Sequence, residues 1–155
     1  MKDIVVELLS ERGVPLSEIA HLVLELQRPY HLGLTLDECL VSVLAVLDKR
    51  EVQHAILTGV ALDVLAEQQV LPEPLCSIVA RDASLYGIDE ILALGITNIY
   101  GTIGLTNFGY LDKTKPGILR ELNSHKDRVH TFMDDLVAAL AAAAASRLAH
   151  NRRQG

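Results

Sequence analysis

Apolar residues recur at helical spacing along almost all of this chain, and the gaps between the periodic stretches carry turn and capping residues. Asp3 to Arg12 reads as a first helix ended by Gly13, with Ile4 and Leu8 inward and Val5 and Leu9 as further inward candidates. Pro15 and Ser17 open a second helix, which Pro29 stops after about Arg28. Thr35-Leu36-Asp37-Glu38 has the spacing of a capping box, in which Thr and Glu side chains each take up a free backbone N–H. A third helix therefore starts there and runs to about Leu47. A fourth runs from about Arg50 to Gln69, with Val52, Ile56, Gly59 and Asp63 on one face. Leu71-Pro72-Glu73-Pro74 is a break, followed by a short helix or turn over Leu75 to Arg81. A long helix starts near Gly87 and reaches at least Tyr100. Asn107 to Lys115 reads as loop, and Pro116 opens a helix to about Asn123. His125 to His130 is polar loop, and a final helix runs from about Phe132 to His150. No strand hairpin, linker or repeat interrupts this order. The pattern predicts an all-α fold with one domain over residues 1–150 and a flexible tail over 151–155.

The stretch from Leu136 to Ala145 is apolar and mostly Ala, too short to span a bilayer. It predicts a helix in the middle of a bundle, where small side chains let neighbours approach closely. Composition supports this: half of the 155 residues are hydrophobic, 4% are aromatic and there is no Trp, so aliphatic side chains and Ala must build the core. The net charge of −6 gives no general nucleic-acid footprint. Cys39 and Cys76 have no metal-site spacing and read as reduced core thiols of an intracellular protein. The first residues, with Lys2, Asp3 and Glu7, do not form a signal peptide.

Two acidic pairs stand out against this background. Asp89-Glu90 and Asp134-Asp135 each open an otherwise apolar segment. Successive helical residues are turned by ~100°, so adjacent carboxylates point in neighbouring directions. Asp89 lies over Leu92, Ala93 and Ile96, Glu90 over Ala93, Leu94 and Thr97, and the second pair lies over alanines. The helix dipole favours an acid in the first turn, and Thr131 to Asp134 has N-cap to N3 spacing. Capping uses one acid per helix and leaves the second without a reason. Ionised carboxylates beside a core need a cation, most simply a hard divalent metal with oxygen ligands. Asp63, in mid-helix, has no dipole to explain it and is a further candidate.

Asp112-Lys113-Thr114-Lys115-Pro116 places two lysines before a Pro-opened helix start, where an anion is welcome, and Asp112 could complete a metal shell. Arg120, Arg128 and His130 could add positive charge nearby. Arg50-Glu51 and Arg81-Asp82 read as surface pairs or helix-end charges, His54 as structural, and Gly101, Gly104 and Gly109 as marks of close packing or a helix end.

Three of these stretches together resemble the phosphatidylglycerophosphatase A family. Ile88-Asp89-Glu90-Ile91-Leu92 is similar to its apolar-DE-apolar motif. Leu111-Asp112-Lys113-Thr114-Lys115-Pro116 is similar to its aromatic-Asp-x-x-Lys-Pro motif, with Leu for the aromatic. Met133-Asp134-Asp135-Leu136-Val137-Ala138-Ala139 is similar to its DD motif. The order and spacing agree over roughly Asp82 to Leu140. The family's glycines after DE and DD are Ala93 and Ala139 here, and the Gly-Thr-x-Gly-Ser segment and transmembrane spans of its membrane-bound members are missing. The chain is most similar to the short soluble branch of YutG-like and low-temperature requirement C-like proteins.

That resemblance implies a helical bundle with a central helix surrounded by others, and a Mg²⁺-dependent (or Mn²⁺-dependent) phosphomonoester hydrolase. It implies that Asp89, Glu90, Asp134 and Asp135 hold one or two ions, with Asp112 and Asp63 in the same or an outer shell. It also implies that Lys113 and Lys115, with Arg128, hold the substrate phosphate, and that one of the carboxylates serves the attacking water. The substrate it implies is a phospholipid head-group phosphate or a related phosphomonoester. The expected setting is cytoplasmic, compatible with peripheral membrane contact. Self-association into a dimer or tetramer is expected from the abundance of apolar residues in so short a chain. Two other classes fit the residues: an all-helical nucleotide pyrophosphatase, whose usual ExxE…ExxD spacing is absent, and a non-catalytic oligomeric module whose acids are caps.

Overall fold

The computed structural model describes the backbone of residues 1–153 and the side chains of residues 1–152. The elements in order are α1 (Lys2–Glu11), α2 (Leu16–Gln27), α3 (Leu36–Leu47), α4 (Arg50–Glu67), α5 (Leu75–Ala80), α6 (Ile88–Thr97), a 3-10 turn (Asn98–Tyr100), α7 (Gly101–Thr114), α8 (Ile118–Ser124) and α9 (Met133–Arg153). There is no strand among the described residues. The fold is an all-α single domain built around one helix. α9 packs against α2, α3, α4, α6, α7 and α8, and every residue from Leu136 to Ala145 is at most 2% exposed. The alanines make this enclosure possible, because a ring of helices can close on a helix only where its side chains are short.

Local chemistry sets most boundaries. At α3 the capping box forms: the Thr35 N–H donates to Glu38 Oε2 (2.8 Å) and the Glu38 N–H to Thr35 Oγ1 (3.3 Å). The segment expected as loop from Asn107 to Lys115 is instead the body of α7. Phe108 and Leu111, one turn apart, are buried against the core, and that burial outweighs the weak helical preferences of Asn107 and Gly109. The long helix expected from Gly87 is interrupted by the 3-10 turn and by Gly101, whose φ of +76° resets the chain direction. In α1 it is Val5 and Leu9 that are buried, while Ile4 is 61% exposed. Ile4 and Leu8 were expected inward with Val5 and Leu9 as further candidates; Leu8 is half-buried against the core, while Ile4 lines a shallow surface groove with Leu57 and Val64. The last helix continues through Arg153, and residues 154–155 of the expected tail lie outside the described residues. Cys39 and Cys76 are free and buried. Among the described residues one run, Ile88–Thr114, is apolar and long enough to cross a membrane by length and composition alone. The 3-10 turn divides that run.

Candidate functional site: an acidic centre at the start of the central helix

Three helix ends meet where α9 begins. α4 approaches the start of α9 closely at Gly59, which has no Cβ: one would stand 2.6 Å from Leu136 Cδ1 and 3.1 Å from Phe132 Cβ. One turn beyond Gly59, Asp63 is fully buried and turns its carboxylate onto the free amides that open α9. Phe132 N–H donates to Asp63 Oδ1 (3.0 Å) and Met133 N–H to Asp63 Oδ2 (2.9 Å). The cap of α9 thus comes from another helix. Thr131, whose spacing marked it as the cap, donates its hydroxyl to the Val79 carbonyl at the end of α5 (2.6 Å). Burial pushes the Asp63 carboxyl up to about 7, against the pull of the Phe132 and Met133 amides and of Arg12.

Asp134 and Asp135 follow in the first turn of α9, 6% and 5% exposed. Asp134 Oδ1 accepts the Asp135 N–H (2.8 Å), and Oδ2 accepts from Lys115 Nζ (3.3 Å). Burial raises the Asp134 carboxyl to about 6 although Lys115 opposes the shift. The Asp135 carboxylate has no hydrogen-bond partner among the described residues. Burial raises it to about 9, helped by the like charges of Asp134, Asp89 and Asp112.

α6 and α7 bring the remaining acids. Tyr86 packs edge-on against Phe132, with centroids 5.8 Å apart, and fastens the entry of α6 to the start of α9. Asp89 is then buried and within electrostatic reach of Asp135. Asp112 sits in the last turn of α7. Lys115 ends that helix in the left-handed conformation (φ +44°), which turns its chain back so that Nζ also bonds Asp112 Oδ1 (3.2 Å). Burial works against the Lys115 charge, but Asp134 and Asp112 outweigh it and raise its pKa.

Of the residues picked out in the sequence, Asp89, Asp112, Asp134, Asp135 and Lys115 come together, and Asp63 stands behind them as the helix cap. Glu90 and Lys113 are exposed and are not drawn into this cluster. Arg128 donates to the Glu11 carbonyl (3.0 Å) and, with Arg81, His125 and His130, lines a cavity of about 130 Å³ that Asp82 and Asp134 border on the other side. The His130 Nδ1 meets the Leu122 carbonyl (3.0 Å), which only accepts, so Nδ1 carries the hydrogen. Burial lowers the His130 pKa and favours the neutral ring.

Asp82, expected with Arg81 as a surface pair or helix-end charge, is exposed and borders the centre from outside. Its backbone is left-handed (φ +48°), a conformation Asp tolerates, and its pKa is raised by burial and then by Asp89, with Asp112 also contributing. It is a sixth carboxylate of the neighbourhood. The signal available in the sequence was its place in a turn just before the Asp89-Glu90 pair. Among the described residues no three Asp, Glu, His or Cys side chains are already arranged as ligands of one ion. The donor set nevertheless fits a hard divalent cation: it is all oxygen, and Asp135 is a buried carboxylate without a counter-charge of its own.

Comparisons with known proteins agree with the all-α fold. The chain is 58% identical over 153 residues to the uncharacterised protein YpjQ of Bacillus subtilis, covering 99% of this chain and 86% of that protein. It is 60% identical over 146 residues to YutG of the same organism, covering 94% and 88%. The crystal structure of the low temperature requirement C protein from Listeria monocytogenes superposes with a TM-score of 0.95 at 57% identity, covering 98% of this chain and 96% of that one. The sequence model of phosphatidylglycerophosphatase A matches residues 15–150, which include every acid of the centre, and the chain belongs to that family.

Proposed function

We propose that this protein is a metal-dependent phosphomonoester hydrolase acting on a phospholipid head-group phosphate of the phosphatidylglycerophosphate type. The observation that carries the reading is the meeting of Asp89, Asp112, Asp134 and Asp135 around a single Lys115, next to a cavity with a basic wall. Asp89, Asp134 and Asp135 would hold the ion, with Asp82 and Asp112 at the edge. A bound Mg²⁺ or Mn²⁺ would offset charge on the phosphoryl oxygens and acidify water. The chain's own residues supply the rest. Lys115 and Arg128 approach the phosphate from two sides, and a carboxylate not committed to the cation accepts the proton of the attacking water. Asp63 fixes the direction from which Asp134 and Asp135 project. Leu85, Ile88 and Ile91 leave apolar surface exposed at the start of α6, the helix that carries Asp89, and this surface favours contact with a lipid over a small soluble ester.

The test combines binding and turnover. Millimolar Mg²⁺ or Mn²⁺ should raise the melting temperature of the wild type, and orthophosphate should be released from dispersed phosphatidylglycerophosphate faster than from glycerol phosphate. Pyrophosphate release from nucleoside triphosphates would instead identify a pyrophosphatase. Absence of both metal stabilisation and phosphate release would leave a non-catalytic helical module.

A further inference from the structure

A second pocket opens at the far end of the central helix. It lies between the end of α2, the first half of α7 and the end of α9, has a volume of about 470 Å³, and is bounded by Gln27, Tyr30, Ile103, Asn107, Ala149 and Arg152. From Asp134 to Ala149 the helix rises roughly 22 Å, so this pocket is separate from the acidic centre.

Two carboxamides line its wall. Gln27 is 4% exposed, yet its side chain has no hydrogen bond to any described residue. The Asn107 Nδ2 is buried and unpartnered as well. Buried polar groups are bonded in the great majority of cases, so the orphaned Asn107 nitrogen beside this pocket needs an explanation. Each carboxamide offers an acceptor oxygen and two donor hydrogens, the pairing that matches the edge of a nucleobase. Tyr30 presents a largely exposed ring for stacking. Arg152, which donates to the Tyr30 carbonyl, brings a cation suited to a phosphate. The volume falls in the ~300–1,000 Å³ range of small-molecule sites.

We propose that this pocket binds a nucleoside monophosphate, with Gln27 and Asn107 on the base and Arg152 on the phosphate. Titration calorimetry with AMP, GMP, CMP and UMP tests it, run in EDTA so that cation-dependent binding at the acidic centre is silent and the outcome does not depend on the hydrolase reading. At least one nucleotide should bind saturably, and ribose 5-phosphate about tenfold more weakly or worse. Gln27→Leu and Asn107→Leu should each weaken the nucleotide by about tenfold, with unchanged circular dichroism showing that they fold. Arg152→Gln should weaken the nucleotide but not the nucleoside. If no nucleotide binds at millimolar concentration, or if neither leucine variant alters the affinity, the assignment is wrong.

Discussion

Asp134-Asp135 and Asp89-Glu90 put the same chemistry in the first turn of a helix, and the bundle treats them differently. Both members of the α9 pair are buried, whereas in α6 only Asp89 is. The difference lies in the helices. α9 has six helical neighbours, so every direction from it is inward. α6 lies at the edge, with Ile88 and Ile91 exposed along one side and Asp89, Ala93 and Ile96 buried along another. An enclosed helix forces its acids into the interior, while a peripheral one admits a single stripe. A pair on an enclosed helix is therefore the stronger sign of a bound cation.

Exchanging single acids should expose this asymmetry. Asp135→Asn is expected to cost on the order of a thousandfold in phosphate release, while the fold persists. Glu90→Gln should cost less than about tenfold; a loss as large as that of Asp135→Asn would put Glu90 inside the working centre. Asp63→Ala strips the acceptor from the amides of Phe132 and Met133 and should lower stability by about 3 kcal/mol in urea unfolding. A loss below about 1 kcal/mol would mean that α9 is capped adequately without it. Gly59→Ala crowds Leu136 and Phe132 and should cost about 2 kcal/mol.

The remaining effect is a dependence on pH. The Asp135 carboxyl stands near 9 in the folded protein against an ordinary 3.8. Between these values the unfolded chain has lost this proton and the folded protein keeps it, so stability falls as pH rises, by up to about 1.4 kcal/mol per pH unit for one proton. Asp134, near 6, and Asp63, near 7, act in the same direction over the lower part of the window. Melting temperatures in EDTA should therefore fall from pH 5 to 9. Mg²⁺ should flatten the decline, because it stabilises the ionised carboxylates. A slope indifferent to Mg²⁺ would remove Asp135 from the cation site.

Periodicity carried most of the fold, since each helix has a buried stripe and a chemical stop. It misread α7, where Asn107 and Gly109 look like loop and only the burial of Phe108 and Leu111 makes a helix. It misplaced Ile4 and left the buried side of α1 open, because a short amphipathic helix offers two adjacent apolar stripes and its neighbours choose between them. At the site, acids adjacent in sequence were legible because burying both is costly. Asp82 was hidden because its location depends on a left-handed turn, a backbone property that its own residue type only permits. The capping role of Asp63 was hidden because its partners, Phe132 and Met133, are far along the chain.

That long-range cap has a mechanical consequence. The Asp63 bonds and the Gly59 contact lock α4 and α9 into one rigid jaw that carries Asp134 and Asp135. α6 and α7, which carry Asp89, Asp112 and Lys115, pack on the same central helix but are each entered through a glycine at positive φ, Gly87 and Gly101. Amides of α4 and α9 should therefore stay protected from hydrogen exchange while those beside the two glycines open first.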